Sequence, residues 1–206
     1  VIADAGNIGS ASDKDAIAIA SGGVVTFSQN TVGAGGMDLL LSDTISSAVA
    51  DYDITSTYIN SSYDSYYLVM TLIPVNDNVS PQMQVFVGGT LDTGANYGSE
   101  IGTFDGGAVQ TSDSQDHIDL ARYNTGSSAG EGFSLVGTFT NINATDLPFS
   151  FQGTSHSGGT GAAPISAIIF GGLKMDQAGD VVNGIRIDFS GGNIESGSVQ
   201  LYGLRK

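Results

Sequence analysis

The alternation of apolar and polar residues is the feature that most constrains the fold of this chain. Apolar side chains recur at every second position in short runs, and the runs end in stretches rich in Gly, Ser, Asn and Asp. A period of two places successive side chains on opposite faces of a strand, whereas an amphipathic helix needs a period of about 3.6. Thirty glycines against four prolines favour strands and turns as well. The sequence therefore predicts an all-β protein.

The predicted strands are joined by short polar turns, which makes neighbouring strands antiparallel. An entry strand is expected near 37–41. About eight strands follow, in segments 63–75, 82–89, 117–125, 132–142, 147–154, 164–173, 183–189 and 198–204. Segment 63–75 is apolar at nearly every central position, which is typical of a strand buried on both faces. The last two segments, 183–189 and 198–204, are expected to form a hairpin.

Two packed sheets are the simplest arrangement of these strands, because a single sheet would expose an apolar face to water. With a few long connections, eight strands predict an antiparallel, jelly-roll-like β-sandwich. The long connections would be segments 88–115 and 153–164. Loops of that length in a compact domain commonly carry function or contact a partner.

The N-terminal segment differs from the rest of the chain because it alternates but contains few large side chains. A Ser-Gly-Gly turn at 21–23 is expected to join two short strands. Their apolar positions are Ile17, Ile19, Val25 and Phe27. A hairpin this thin is not stable alone in water, so it must pack against the rest of the chain or against copies of itself. A glycine-rich stretch near 32–36 marks the predicted boundary between two units, 1–34 and 35–206.

Charge and composition exclude several classes of function. The net charge is −15, with only six Lys and Arg residues, whereas a nucleic-acid-binding protein needs a basic surface. The apolar runs are far shorter than a membrane span, so no membrane insertion is expected. The chain has no cysteine, which excludes disulfides, thiolate metal sites and cysteine nucleophiles. The acidity is expected to keep copies of the chain soluble.

Catalytic patterns are weak, and the sequence predicts a protein that is not an enzyme. His156 lies between two serines, but the surrounding GTSHSGG is not the nucleophile elbow of serine hydrolases. His117 stands close to Asp116 and Asp119, which would need a further nitrogen ligand or convergent oxygens to hold a metal ion. Glycoside cleavage would need two carboxylates at a suitable separation. The carboxylates considered for that role are Glu100, Glu131, Glu195 and any of the aspartates in the loops.

Calcium is the one metal ion that the sequence leaves open. Segments 76–78 and 112–116 are rich in oxygen ligands, and an acidic surface raises the local concentration of cations. Neither segment has the spacing of an EF-hand loop. No cofactor is therefore predicted.

Three stretches resemble virion proteins of tailed bacteriophages. Segment 6–29 (GNIGSASDKDAIAIASGGVVTFSQ) resembles the segment that precedes the distal domain of tail-fibre and related proteins. Segment 63–87 (YDSYYLVMTLIPVNDNVSPQMQVFV) resembles the central strand pair of such domains. Segment 185–206 (IRIDFSGGNIESGSVQLYGLRK) resembles the ending that closes their β-sandwich. The three stretches occur in the same order as in those proteins.

The resemblance implies a structural protein of the virion, most often a homotrimeric tail fibre whose sandwich attaches to a glycan or protein of the host cell surface. Segment 1–34 would then be an attachment or trimerisation segment, and its four apolar positions would contact neighbouring subunits or other tail or capsid proteins. The small residues Ala16, Ala18, Ala20 and Gly22 would let three chains approach closely. The expected receptor-binding residues, as exposed loop positions, are Tyr97, Phe104, His117, Tyr123 and His156.

Two alternatives stay open for a virion protein of this kind. A capsid decoration or head-fibre protein would have a purely structural role and would bury its largest apolar patch against the capsid or its neighbours. A glycan-degrading tail protein would cleave glycosides with two of the carboxylates considered above. In either case we expect the protein in the virion, at the tail or on the capsid surface. The hairpin is expected to contact other subunits, and the competing expectation is an edge hairpin folded onto the body.

Overall fold

The structure is a computed structural model of the chain, and its described residues contain strands and turns but no helix. The described residues are 7–9, 16–27, 36–104, 107–145, 147–159, 165–173 and 181–205. Contacts within the chain divide it into two compact units, Val1–Gly36 and Met37–Lys206. The boundary predicted between residues 34 and 35 lies outside the described residues.

Sixteen strands are present in the described residues. In chain order they are β1 (Asn7–Ile8), β2 (Ile17–Ile19), β3 (Val25–Phe27), β4 (Met37–Ile45), β5 (Tyr52–Ile54), β6 (Tyr63–Pro74), β7 (Pro81–Val87), β8 (Thr90–Leu91), β9 (Tyr97–Thr103), β10 (Gln110–Gln115), β11 (Ile118–Asp119), β12 (Gly132–Thr140), β13 (Ser150–Gly158), β14 (Ile165–Leu173), β15 (Val182–Phe189) and β16 (Ile194–Arg205).

The larger unit is a β-sandwich of two antiparallel sheets, as predicted. The large sheet has eight strands in the order β10-β9-β14-β13-β12-β6-β16-β4. The small sheet has five, in the order β11-β7-β15-β5, with β8 paired to the other end of β7. The strand count exceeds the predicted eight because several strands are short or lie in polar segments. The jelly-roll path of the chain stays a prediction.

One buried cluster fills the space between the two sheets. From the large sheet, β6 contributes Leu68, Met70 and Leu72 at alternate positions. From the small sheet, β15 contributes Ile185 and Ile187. Because side chains alternate across a strand, the residues between these positions point away from the core. Each sheet therefore has an outward face whose composition is independent of the core.

A pair of glycines makes room for an aromatic side chain in this core. Gly137 of β12 lies directly opposite Gly153 of β13. A Cβ atom on Gly137 would overlap the ring of Phe151, and one on Gly153 would lie 2.9 Å from its Cζ. The Phe151 ring is buried and lies 5.2 Å from the ring of Phe139. These two glycines are therefore required by packing rather than by a turn.

The prediction that β6 is buried on both faces is wrong. Leu68 and Met70 are buried, but the intervening Tyr67 and Val69 lie half-buried on the outward face. Neighbours on the same face reduce their exposure, since the rings of Tyr67 and Tyr202 are 6.3 Å apart. Apolar residues on both faces of a strand therefore do not require a second covering layer.

The predicted hairpin between segments 183–189 and 198–204 is also wrong, because β15 and β16 belong to different sheets. β15 pairs with β7 and β5, whereas β16 pairs with β6 and β4. Gly192, with φ of 79°, lies in the connection that carries the chain from one sheet to the other. An alternating pattern in two successive strands fits a hairpin and such a crossing equally well, since both place the apolar side chains inside.

Segment 88–115 was predicted as a long connection, but it contains β8, β9 and β10. β9 buries Tyr97, Ser99 and Ile101, although its sequence YGSEIGT has few apolar residues. Its hydrogen bonds to β14 and β10 on either side hold it in the large sheet. The low apolar content concealed a strand in the sheet interior.

Two other predicted segments change their role in the structure. Segment 153–164, predicted as a connection, contains the second half of β13 up to Gly158, and residues 160–164 lie outside the described residues. Segment 117–125, predicted as a full strand, is a strand only at the two residues of β11. Beyond them, Leu120 N donates to Pro81 O at 3.0 Å and Thr125 forms an isolated antiparallel bridge with Val79.

The smaller unit confirms the predicted hairpin. β2 pairs with β3, placing Ile17 opposite Phe27 and Ile19 opposite Val25, and β1 adds a third strand. Gly23 adopts a φ of 81° in the turn, a conformation that glycine permits without a Cβ clash. The proposed role of the four apolar residues in assembly stays a prediction.

Candidate functional site

The outward face of the small sheet carries a group of polar side chains that we call the small-sheet network. Its residues are Asp53, Gln82, Asp116, His117, Asp119, Arg186 and Asp188. Arg186 and Asp188 alternate with the buried Ile185 and Ile187 of β15, which directs both away from the core. Strand register aligns Asp119, Gln82 and Asp188 across β11, β7 and β15.

Arg186 forms one end of the network. Its Nε donates to Asp53 Oδ1 at 2.7 Å and its Nη2 donates to Asp53 Oδ2 at 2.8 Å. A third contact joins Nη2 to Asp51 Oδ1 at 3.5 Å, and the guanidinium lies 5.7 Å from the centre of the Phe86 ring. The hydrogen bonds to Asp53 raise the pKa of Arg186 above its ordinary value. The two-pronged pairing fixes the plane of the guanidinium.

His117 forms the other end of the network. Its Nδ1 lies 2.6 Å from Asp116 Oδ1, and its Nε2 lies 3.2 Å from Asp119 Oδ1 and 2.8 Å from Gln82 Nε2. The hydrogen bond to Asp119 raises the pKa of His117, and burial of the ring opposes this effect. In the protonated ring both nitrogens donate, so both carboxylates can be satisfied together, whereas Gln82 Nε2 can donate to Nε2 only when that ring nitrogen is unprotonated.

Asp188 lies between the two ends. Burial raises the pKa of this carboxyl to about 6, and the nearby positive groups His117 and Arg186 oppose the shift. Its Oδ1 is buried and has no hydrogen-bond partner. The network therefore contains one carboxylate that the fold does not satisfy fully.

The oxygen-rich segment 76–78, one of the two considered for calcium, is engaged in bonds within the chain. Asp77 Oδ1 accepts hydrogen bonds from Ser127 N at 2.7 Å and Ser127 Oγ at 2.8 Å, and these bonds lower the pKa of Asp77. Asn78 Oδ1 accepts one from Asn124 Nδ2 at 2.8 Å. Among the described residues, no group of three or more His, Asp or Glu side chains is arranged to hold a metal ion.

The expectation that Tyr97 is an exposed loop residue is wrong. Tyr97 opens β9 and is 1% exposed. Its hydroxyl donates to Asp92 O at 2.9 Å and accepts from Val85 N at 3.0 Å, and burial raises its pKa. The bond to Val85 joins the start of β9 to β7 across the core, so Tyr97 has a structural role.

The other four expected receptor-binding residues lie at least partly on the surface. Phe104, directly after β9, is 72% exposed, and Tyr123 is 41% exposed beside the guanidinium of Arg122. His156 points outward from β13, where its Nδ1 lies 3.1 Å from Ser166 Oγ. His117 belongs to the small-sheet network and retains limited exposure.

Strand register brings only two of these residues to one place. Thr103 pairs with Ala167, and His156 pairs with Ser166, so Phe104 and His156 flank β14 at the same end of the large sheet. His117 lies on the outward face of the opposite sheet. The expected residues therefore do not form a single receptor site.

Two cavities lie beside strands of the sandwich, one at β6, β12 and β13 and the other at β4 and β5. One, of about 200 Å³, is lined by Thr71, Glu131, Ser134 and His156 among others. The other, of about 410 Å³, lies at the end of β4 and is lined by several hydroxyl and carboxylate groups. In this second cavity, the Tyr52 hydroxyl donates a hydrogen bond to Asp43 Oδ2 at 2.8 Å.

The three glutamates considered for glycoside cleavage are dispersed. Glu100 lies on β9 and Glu195 on β16, five strands apart in the large sheet, which separates them by roughly 24 Å. Glycosidases hold their two carboxyl groups within about 10 Å. Glu131 instead accepts a hydrogen bond from Ser128 N at 3.0 Å.

Sequence reasoning identified His117 with its two aspartates but missed Gln82, Arg186 and Asp188. These three occupy polar positions between apolar neighbours in PQMQVFV and NGIRIDF. A polar residue between apolar neighbours of a strand indicates a solvent-facing position but not its partners. The available signal was the pair Arg186 and Asp188, a cation and an anion two residues apart that point to the same face of one strand.

Comparisons with known proteins add no relative. No family model, no curated protein and no solved structure matches this chain. In the part of the chain that the structure describes, no helix is long and apolar enough to span a membrane.

Proposed function

We propose that this chain is a structural protein of a tailed-bacteriophage virion, a tail fibre or its distal domain, that attaches the particle to the host cell surface. The ordered resemblance of three sequence segments to tail-fibre proteins supports the proposal, and a β-sandwich is the fold that this resemblance implies. As in that family, we expect a homotrimer. The observation that carries the proposal is the division into a sandwich and a separate small unit with exposed apolar side chains.

The small unit has the surface expected of an attachment element. Val24 is 64% exposed, Val25 50%, Phe27 48% and Ile8 45%. Three short strands cannot bury these side chains among themselves, and clustered exposed apolar residues mark interaction surfaces. In the assembled virion they would be covered by neighbouring subunits or by another tail or capsid protein.

Immunogold electron microscopy tests the place of the protein. Antibodies against the purified chain would be applied to virions concentrated from the culture that carries the gene. Label on the tail is the expected result. Particles that carry no label anywhere, while the same antibodies detect the purified chain, would overturn the proposal.

Adsorption tests the attachment role. The labelled full-length chain should bind bacteria that the virions infect, and Phe104→Ala and His156→Ala should weaken this binding, because both residues lie at the same end of the large sheet. Leu147→Ala removes an apolar residue that is 51% exposed in the connection between β12 and β13, at the opposite end of the large sheet, and is the matched control. Failure of the unchanged chain to bind any susceptible bacterium would exclude a receptor-binding role.

A capsid decoration or head-fibre protein is the second candidate. It is favoured by apolar residues on the outward face of the large sheet, among them Leu39 at 55% and Phe170 at 53% exposure. A purely structural protein would bury this patch in the particle. Immunogold label confined to the capsid would select this candidate over the tail fibre.

A further inference from the structure

The outward face of the large sheet is nearly free of charge, and we call it the neutral face. Two neighbouring rows of side chains cross it from β4 to β9, as strand register shows. The first row consists of Ser42, Gln200, Val69, Val136, Thr154, Ile168 and Gly102. The second row consists of Leu39, Tyr202, Tyr67, Thr138, Gln152, Phe170 and Glu100.

Glu100 is the one ionised side chain in these two rows, although the chain has 21 acidic residues. Between the hydroxyl and amide groups the neutral face exposes large apolar side chains. Leu39 is 55% exposed, Phe170 53% and Val136 37%. Elsewhere on the protein the surface carries acidic side chains, which water solvates well. On the neutral face, apolar side chains are in contact with water instead.

The net charge of −15 limits how copies of this chain can meet. Surfaces that carry aspartate and glutamate repel the same surfaces on another copy over a distance of about 8 Å at physiological salt. The neutral face avoids this repulsion, and its Ser, Thr and Gln groups can donate and accept hydrogen bonds to an identical face. A basic partner would instead favour the acidic surfaces. The charge distribution therefore selects a second copy as the occupant.

The size of the neutral face is sufficient for a stable contact. The seven strands from β4 to β9 span roughly 29 Å, and strands of this sheet with about eight residues extend for about 28 Å, which gives an area on the order of 800 Å². A typical specific interface covers about 800 Å² on each partner. Two sheets can also stack face to face with their side chains interdigitated, as the two sheets of a sandwich do.

We propose that two copies of this chain associate through their neutral faces. The contact places Leu39, Val136 and Phe170 of each copy against the outward rows of the other and excludes water from them. It does not rest on the proposed function, because it follows from the charge and register of the large sheet alone. It also differs from the assembly expected through the N-terminal hairpin.

Sedimentation of the full-length chain over a range of concentrations tests the proposal. The unchanged chain should associate as its concentration rises. Leu39→Glu and Phe170→Glu, each at an exposed position, should shift the association midpoint at least tenfold higher. Val75→Glu and Leu147→Glu introduce the same charge at positions that are 45% and 51% exposed outside the neutral face, and should leave the midpoint within twofold.

Three results would overturn the proposal. The first is a chain that stays monomeric at all concentrations, and the second is association that the two neutral-face substitutions do not weaken. The third is association that Phe27→Glu in the small unit abolishes while Phe170→Glu does not, which would place the contact in the hairpin. None of these bears on where antibodies label the virion, so failure here is distinct from failure of the proposed function.

A measurement on the unchanged chain makes the test independent of how the variants fold. Hydroxyl-radical labelling below and above the association midpoint reports the exposure of each side chain. Leu39, Val136 and Phe170 should become protected on association, whereas Val75 and Leu147 should not. Equal labelling of the first three side chains in both states would refute the contact, whether or not the chain associates.

Discussion

The two outward faces of the sandwich share one core but meet water in different ways. The small sheet carries cations and anions that pair with one another, with Arg186 held by Asp53 and His117 held by Asp116 and Asp119. The large sheet carries hydroxyl, amide and apolar side chains. The strands alternate equally well in both sheets, so the requirement for a buried core does not explain the difference.

The comparison separates what holds the sandwich together from what its surface can contact. In the small-sheet network most donors and acceptors already have partners within the chain, so the charges orient strands that are otherwise joined by few residues. The neutral face has large side chains still exposed, such as Phe170, and little charge to repel an approaching surface. We therefore expect substitutions on the small sheet to change stability and substitutions on the large sheet to change association.

The largest effect is expected from Arg186→Met. The substitution leaves Asp53, Asp51 and Asp188 without their shared cation, and charge-assisted hydrogen bonds at a partly buried site are lost. We expect the free energy of unfolding to fall by about 2 kcal/mol at neutral pH. Urea denaturation measures this change. Gln200→Met makes a similar exchange of shape on the neutral face and should change the free energy by less than about 0.5 kcal/mol.

The comparison would break if these two substitutions had equal effects. Equal losses would mean that the outward positions of both sheets contribute alike, and that pairing of charges has no special role in the small sheet. Equal and negligible losses would mean that Arg186 is held by its neighbours without stabilising the fold.

A smaller effect, of opposite sign, is expected from Asp188→Asn. The pKa of Asp188 is raised from 3.8 to about 6 in the folded protein, so the folded state favours the protonated carboxyl. The stabilisation that comes from protonating Asp188 is then fully present below pH 3.8 and is lost as the pH rises through about 6. The amide imitates the neutral carboxyl. At pH 8 the free energy of unfolding of the variant should therefore exceed that of the unchanged chain by about 1 kcal/mol, after allowance for solvent screening.

Unfolding of Asp188→Asn by urea at pH 8 and at pH 4 measures this effect. At pH 4 the two proteins should be nearly equally stable, because the native carboxyl is mostly protonated there. A variant that is less stable than the unchanged chain at pH 8 would show that the carboxylate is needed in its ionised form.

The next effect concerns His117→Gln. The pKa of His117 is raised in the folded protein, so protonation stabilises the fold. This stabilisation is fully present below the ordinary pKa of 6.5 and is lost as the pH rises through the folded value above it. We expect the variant to be about 0.5 kcal/mol less stable than the unchanged chain at pH 5.5, and the difference to shrink at alkaline pH.

Thermal unfolding across this pH range follows the difference between the two chains. His156→Gln removes the other histidine, on the large sheet, and should leave the pH dependence that comes from His117 in place. A difference between the unchanged chain and His117→Gln that is constant with pH would assign the effect of His117 to packing instead of charge.

The smallest effect on stability is expected from Gln152→Glu, at the centre of the neutral face. Both side chains have the same shape and Gln152 is exposed, so the free energy of unfolding of dilute protein should change by less than about 0.5 kcal/mol. The same substitution should weaken self-association. Unfolding at low concentration and sedimentation at high concentration measure the two quantities, and a variant that loses stability without losing association would reverse the comparison.

The sequence by itself determined the type of structure and much of the strand inventory. Apolar residues at every second position, with glycine-rich turns between the runs, leave strands as the one arrangement that buries them on a single side. The same reasoning found the hairpin of β2 and β3, because the Ser-Gly-Gly turn and the short alternating runs are local features. A period and a turn are properties of neighbouring residues, which is why they can be predicted from the sequence.

Long-range pairing was not predictable in this way. β9 has few apolar residues and becomes a strand because β14 and β10 pair with it on either side, and this pairing buries Tyr97. The assignment of β15 and β16 to different sheets likewise depends on which distant strands they meet. Hydrogen bonds between strands join residues far apart in the chain, and the alternation of each strand carries no record of its partners.

The candidate site shows the same division. His117 with Asp116 and Asp119 was visible as a local cluster, whereas the row that joins Asp119, Gln82 and Asp188 exists only through the register of three strands. The neutral face is also a product of register, since its rows take one or two side chains from each strand. Sequence fixes which residues point outward on each strand, but only the tertiary structure decides which outward residues become neighbours, because that choice depends on strand order and alignment.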